Sequence, residues 1–595
     1  MSACASTAWS QTIPTTLPAM PPENGNQLSQ QLVVQVKAFR FHGNTVFTNQ
    51  QLAAIAEPFR RQHDGMMTSP DLEAVRNALT LAYVNQGYIN SGAVMPDQTV
   101  ADGVIRFDII EGKLSDVVLS HGHAGMMNMP MPAPATQPAV TPGSAGGPGA
   151  VGREAAQPLP PTQEAGWHLL NNQYVTDRVM LGAGPPLNVL QLKDQLELLR
   201  RDPNIKTINA ELAPGDSPGE SVLNLAVTED NPLQFGVDYS NRRPPSVGAY
   251  EFDVLASDSD VTGHGDAFSA RWGVLAGSAN TQQFDDDNDY SLDYVVPLTA
   301  RDLTLEVNYT RSSDAVVETP FTDVNIQSKT DSIYATLRQP LVRTVEDPAL
   351  GTKDQELAAF FTVSSRYNRT FLLGEPFSFS PGVENGEQDV FALRPGLEYV
   401  RRSSDDALAL RATFSTGIDG PKATIHSHDE PDSRFFAFLG QSQYVRRIPL
   451  GNAAQPWNDA QGILRFNTQL SPNQLLTLEQ FSLGGVDTVR GYEQNQFVTD
   501  EAVQATAELR IPVVKANNLD ALTFAPFFDS GYAWNRENST QTPELISGVG
   551  CGLLFHPTEQ INASVYYGYP LKRFSHNEDD LQDMGIYFDV SILAF

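Results

Sequence analysis

LGGVDTVRGYEQNQF, running from Leu483 to Phe497, decides how the rest of the chain is read. It lies in a long connection, roughly Pro472 to Asp500, between two segments that alternate like barrel strands. Connections longer than about 15 residues without structure of their own are uncommon in compact domains, and are either functional or disordered. Leucine, valine, tyrosine and phenylalanine here, with the paired Gly484 and Gly485, point to an ordered loop. Between Val489 and Gly491, Arg490 implies a close backbone approach with its guanidinium presented to a fixed partner. The planar, five-donor fork of arginine suits bidentate capture of a carboxylate.

The segments around the loop alternate with a period of two. Leu464, Phe466 and Leu470 are set against Arg465, Asn467 and Gln469, and Val503, Ala505 and Leu509 against Gln504, Thr506, Glu508 and Arg510. One apolar and one charged face fits both a soluble sandwich and a lipid-facing barrel with a wet lumen. Strand number and loop pattern decide between them. Sixteen such segments follow one another, from near Leu233 to the last one near Gly585. Connections after even-numbered segments are mostly short, as at Leu298 to Arg301, whereas those after odd-numbered ones are often long, as at Arg369 to Glu387. An even strand number, short periplasmic turns and long external loops characterise bacterial outer-membrane barrels. The expected fold is therefore a transmembrane β-barrel of sixteen antiparallel strands over residues 231–595, with 472–500 as a long lumenal loop.

Ahead of the barrel the texture is mixed α/β. Residues 1–31, rich in Pro, Thr, Ser, Asn and Gln, read as a flexible leader. Residues 32–112 follow the order β-α-α-β-β: a strand running into Phe41 to Thr45, a short helix, and a second helix. That second helix is expected to take Ser69 as N-cap and Pro70 as its first residue. It ends at Gly87, two strands follow, and the unit closes at Glu111-Gly112. Residues 113–230 repeat the order, interrupted by a Pro/Gly/Ala-rich stretch over 124–165 that reads as a disordered insertion.

A net charge of −31 excludes nucleic acid or an anionic membrane surface as the main partner, since both need basic patches. No run of about 18 uncharged apolar residues marks a transmembrane helix. The first residues lack a charged start followed by an apolar stretch, so an export signal is absent or truncated. Cys4 and Cys551 have no metal-type spacing and read as bystanders. The acidic run Asp285 to Asp289 lacks the spacing of a calcium loop and reads as a solvated external loop. His121 and His123 read as loop residues rather than ligands. With no zinc, serine-hydrolase or nucleotide motif, no enzyme, cofactor or metal is expected.

With these pieces in place, the chain from Val33 to Phe595 resembles the transporters of two-partner secretion, the hemolysin secretion/activation family of the outer-membrane assembly superfamily. The most specific match is Val489-Arg490-Gly491-Tyr492, the superfamily's signature after the eleventh strand. The second is Phe527, Asp529 and Gly531, the family's F-x-D-x-G pattern on the thirteenth. These three share one face, with Phe524 and Phe528 on the other, so Asp529 is expected in the lumen. The resemblance implies an Arg490–Asp529 ion pair that holds the loop inside the barrel. Phe41-x-Gly43-Asn44-Thr45, Gly87-Tyr88 and Glu111-Gly112 resemble the periplasmic POTRA modules. Family members commonly begin with a plug helix, which Pro14, Pro18, Pro21 and Pro22 oppose here.

The resemblance implies a protein of the Gram-negative outer membrane with its modules in the periplasm. Those modules capture a large, partly unfolded exoprotein of adhesin or hemolysin type by β-augmentation. The barrel then passes it in extended form to the surface without nucleotide. Outer-membrane lipid, and the barrel assembly machinery acting through the final strand ending at Phe595, complete the expected partners. Two other readings are a barrel assembly factor, which would favour more modules than two, and a passive porin, which leaves the modules and Val489–Tyr492 unexplained.

Overall fold

A computed structural model describes residues 33–594, except 101, 124–169, 276–287, 317–324, 347–352, 427–429, 453–454, 518, 537–542 and 575–579. The leader, the plug-helix question, the 124–165 insertion, most of the acidic run, Cys4 and Phe595 lie outside the described residues.

The first unit is ordered as read. Strand Ala38–His42 lies parallel to Val104–Ile110, which pairs antiparallel with Gly92–Val94. Helices Asn49–Gln62 and Ser69–Asn85 close over Leu52, Val75, Leu79, Tyr83, Ile105 and Phe107, all buried. The N-cap of the second helix is Thr68 rather than Ser69. Asp71 decides this, because its carboxylate accepts from the Thr68 N–H at 2.8 Å and the Thr68 hydroxyl at 2.7 Å. A negative charge in the first turn also suits the helix dipole. Glu111 clasps the opposite end, accepting from the Thr45 N–H at 2.7 Å, the Val46 N–H at 2.8 Å and the Tyr83 hydroxyl at 2.8 Å. Burial raises its pKa, but these donors outweigh it and hold the carboxyl below its ordinary value. The stabilisation is therefore complete above the ordinary pKa of about 4.3 and is lost as acidification passes the depressed value. At neutral pH, Glu111→Ala strands these donors and is expected to cost about 1–3 kcal/mol. Hydrogen exchange at Thr45 and Val46 in the full chain measures it, and unchanged protection would rule the clasp out.

The second unit repeats the topology, with strand Lys113–His123 parallel to Glu220–Glu229 and Ile205–Pro214 antiparallel on its other side. Helices Asn172–Met180 and Val189–Leu199 cover it. The units are stitched together where Val189 N–H donates to Gly87 O at 2.9 Å and Asn188 Nδ2 to Gln86 O at 3.0 Å. Contrary to the loop expectation, His121 and His123 end a strand. Pairing of His121 with Val227 and His123 with Glu229 in the parallel ladder continues into what composition alone presents as a linker edge. On that strand His121 Nδ1 lies 2.9 Å from Glu229 Oε1, and Nε2 2.6 Å from Asn172 Oδ1. The bond to Glu229 raises the His121 pKa, burial opposes it, and Asn172 adds to the rise. A raised pKa stabilises fully below the unfolded value of about 6.5. That contribution disappears as pH climbs through the folded value. The melting gap between wild type and His121→Gln should therefore be wider at about pH 5.5 than at about pH 8.5. A gap independent of pH would contradict this.

Among the described residues sixteen strands form one closed antiparallel barrel, as expected from the sequence. Leu233–Ser240 is strand 1 and Ile586–Leu593 strand 16, and they pair to close it, Ile592 facing Val237. The strands that matter below are 7 (Asp354–Leu372), 8 (Glu387–Arg402), 9 (Asp406–Gly417) and 10 (Phe436–Arg447). Beyond them come 11 (Gln461–Leu470), 12 (Glu501–Ala516), 13 (Leu519–Trp534), 14 (Glu544–Thr558) and 15 (Ile561–Pro570). Trp272, Leu292, Ile333, Leu397, Leu464 and Leu553 are exposed on the outer face, while charged and polar side chains fill the inner one. That inversion is stable only against lipid. Arg178 of the second module reaches Asp302 on a short turn at 2.9 Å, and Arg201 reaches Asp354 at 2.9 Å. The modules thus sit at the short-turn mouth.

Candidate lumenal site

The loop after strand 11 folds back into the barrel as a hairpin, Phe481–Leu483 pairing with Phe497–Thr499. At its tip Arg490 is 3% exposed. Its Nε donates to Asp529 Oδ2 at 2.7 Å, Nη2 to Asp529 Oδ1 at 3.0 Å, and its backbone N–H to Oδ2 at 3.1 Å. Asp529 is fully buried and shares the inner face of strand 13 with Phe527 and Gly531. The two residues matched from sequence are therefore in contact, three hydrogen bonds deep.

Sequence reasoning missed the second carboxylate. Glu508 on strand 12 accepts from Arg490 Nη1 at 2.6 Å and from Arg510 Nε at 2.7 Å. Its inward direction was legible from alternation. Its partner was not, because that depends on the register placing Glu508 opposite Phe527. The Arg490 guanidinium also lies 3.5 Å from the Phe527 ring centroid and 4.9 Å from that of Tyr566. Two carboxylates and two aromatic rings leave none of its faces to water. A charge in this position is stable only because all of these partners are present.

The remaining motif residues seat the backbone. Val489 packs with Leu483, Ala502, Ala533 and Ile546. Gly491 has φ 101° and donates its N–H to the Tyr587 hydroxyl at 2.8 Å, which in turn donates to Tyr492 O at 2.6 Å. The Tyr492 hydroxyl donates to Ser547 O at 3.0 Å. Gly531 lies beneath Leu483. The seat itself is made by Gly548 on strand 14 and Gly568 on strand 15. A Cβ on Gly548 would fall 1.9 Å from Arg490 O, and one on Gly568 2.4 Å from Gly491 N. Neither glycine stands out in the sequence.

The descending limb of the loop is fixed to the wall at strands 8 and 10. Leu475 and Leu476 pack on Val390, Ala392, Phe435 and Ala437 of strands 8 and 10 and the segment before strand 10. Below them both carboxylate oxygens of Glu479 accept from Arg394 Nη2, at 2.8 and 2.9 Å, and Arg366 Nη1 lies 3.5 Å from Glu479 Oε1. The loop is thereby anchored to two stretches of the lumen wall, by Arg490 at one and by Glu479 at the other.

Residues 219–555 match the model of the haemolysin secretion/activation protein family ShlB/FhaC/HecB, and residues 34–112 that of the ShlB-type POTRA domain. The outer membrane transporter CdiB of Dickeya dadantii is 20% identical over 540 residues, covering 90% of this chain and 82% of its own length. In structure the chain is similar to CdiB from Escherichia coli, with TM-score 0.63, 17% identity, and 96% and 93% of the two chains covered. CdiB from Acinetobacter baumannii gives TM-score 0.59, 14% identity, and 95% and 90% coverage. The family match spans more than half of the chain: the chain belongs to the haemolysin secretion/activation family, ShlB/FhaC/HecB.

Proposed function

We propose that the soluble modules, at 32–112 and 113–230, capture the exoprotein in extended form and deliver it to a barrel, 231–595, whose lumen is occupied at rest by the tethered loop. Family membership makes the protein an outer-membrane transporter of two-partner secretion, with its modules in the periplasm and a large exoprotein as its cargo. Its work is transport rather than catalysis. The observation that carries the reading is the juxtaposition of two modules at the short-turn mouth with an arginine-tethered loop inside the lumen above them.

Capture uses a free strand edge. Ile205–Pro214 is an outer strand of its three-stranded sheet, with Lys206, Thr207, Asn209 and Glu211 exposed along it. An added strand would gain main-chain hydrogen bonds there, with side-chain pockets supplying specificity. Arg490 and Asp529 keep the hairpin seated while the cargo passes, and folding outside draws the chain through without nucleotide. The apolar outer face meets lipid. Strand 16 closes the seam in the finished barrel, so its recognition by the barrel assembly machinery precedes closure. A photo-crosslinker at Asn209 in cells secreting a large exoprotein encoded nearby tests the capture step. Adducts with that exoprotein support it, and adducts only with nascent barrel proteins would favour an assembly factor.

A further inference from the structure

We propose that Arg366 and Arg394 form a carboxylate-binding site on the lumen wall, occupied at rest by the loop's own Glu479 and taken over by acidic side chains of the transiting polypeptide. The proposal rests on the transport reading and adds to it the chemistry that frees the loop's descending limb. Arg394 is held in place from behind, its Nε donating to Ser364 Oγ at 3.0 Å and its Nη1 to Ser415 Oγ at 2.7 Å. Its Nη2 is left to grip Glu479. Arg366 donates to the Leu478 carbonyl beside it. The next carboxylate along strand 8, Glu398, is engaged with Arg338 at 2.8 Å and Arg411 at 2.9 Å. Two guanidiniums therefore share one carboxylate, and that carboxylate belongs to the loop.

The two anchors of the loop differ in a way that assigns them different tasks. Around Arg490 the partners enclose the charge from every side, and the arginine itself is 4% exposed at its side chain. Around Glu479 the arginines keep a water-facing side, with side-chain exposures of 19% for Arg394 and 34% for Arg366. A second carboxylate can approach there before the first departs. Stripping Glu479 away without replacement would strand two lumenal cations, which is costly. Exchanging it for an aspartate or glutamate of the cargo keeps the charge count constant, so the limb is released without an unpaired state. The Arg490 tip stays docked throughout.

Single-channel recording on the purified full-length protein tests this, using two synthetic 12-residue peptides added at the module side. They are identical except for glutamate in one and glutamine in the other. In the wild type the glutamate peptide should alter gating at about tenfold lower concentration than the glutamine peptide, equivalent to ~1.4 kcal/mol. Glu479→Gln should open more often with no peptide and still discriminate the two. Adding Arg366→Gln and Arg394→Gln to it should abolish the discrimination. Equal potency of the peptides in the wild type, or unchanged gating in Glu479→Gln, overturns the proposal. Retained heat-modifiable migration shows that each variant is folded. Secretion by the wild type separates the two levels: its absence sinks the transport reading, whereas normal secretion with equal peptide potencies sinks the exchange site alone.

Discussion

Replacing Arg490 by alanine is expected to release the loop tip and to destabilise its seat by about 3–5 kcal/mol, the usual cost of breaking a buried pair from one side. The substitution leaves Asp529, fully buried, with no cation, and leaves Glu508 with Arg510 as its one cation among the described residues. It also removes the cation that Phe527 and Tyr566 enclose. The barrel ladder itself is untouched, because no strand hydrogen bond involves the side chain. The expected phenotype is therefore a folded barrel with a mobile loop: heat-modifiable migration retained, and protease cleavage within 484–496 gained. Arg490→Lys should recover little, since an ammonium cannot bridge two oxygens of Asp529 and one of Glu508 in a fork. A lysine variant as protected as the wild type would show that charge alone, and not the geometry of the fork, holds the tip.

Gly548→Val should reproduce that phenotype without altering any charge. The loop backbone lies so close to strand 14 that a Cβ at Gly548 would meet Arg490 O at 1.9 Å. That neighbour is backbone, on a tip gripped at Asp529, Glu508 and Tyr587, so it has no flexible end to move aside. Overpacking of this kind costs about 1–3 kcal/mol or more. Valine suits a strand otherwise, so the barrel is expected to assemble. If protease access to the loop does not rise in Gly548→Val, the seat on strands 14 and 15 is not what holds the tip.

Much of this architecture was legible because barrel strands carry their orientation in a period of two. Asp529 was expected in the lumen from its alternation with Phe524 and Phe528, and Arg490 from the motif that resembles the family's. What stayed hidden is long-range pairing. Glu508 was visibly inward, yet only the strand register brings it to Arg490. Glu479 is one acid in a loop, and its partners Arg366 and Arg394 lie more than 80 residues earlier, with nothing local to single them out. The glycines of the seat are ordinary residues in a strand until a second backbone is laid across them. His121 shows the opposite failure: beside a Pro/Gly/Ala-rich stretch it looks like the start of a linker, but ladder pairing carries the strand through it.

If the loop tethered inside this barrel takes part in exporting a large exoprotein, secretion of that exoprotein into the medium should depend on Arg490. Compared in cells with the intact protein, without it, and with Arg490→Ala, cargo is expected in the medium only with the intact protein, at matched barrel levels in the outer membrane. Equal secretion by the Arg490→Ala protein would contradict it, as would secretion that persists when the protein is removed.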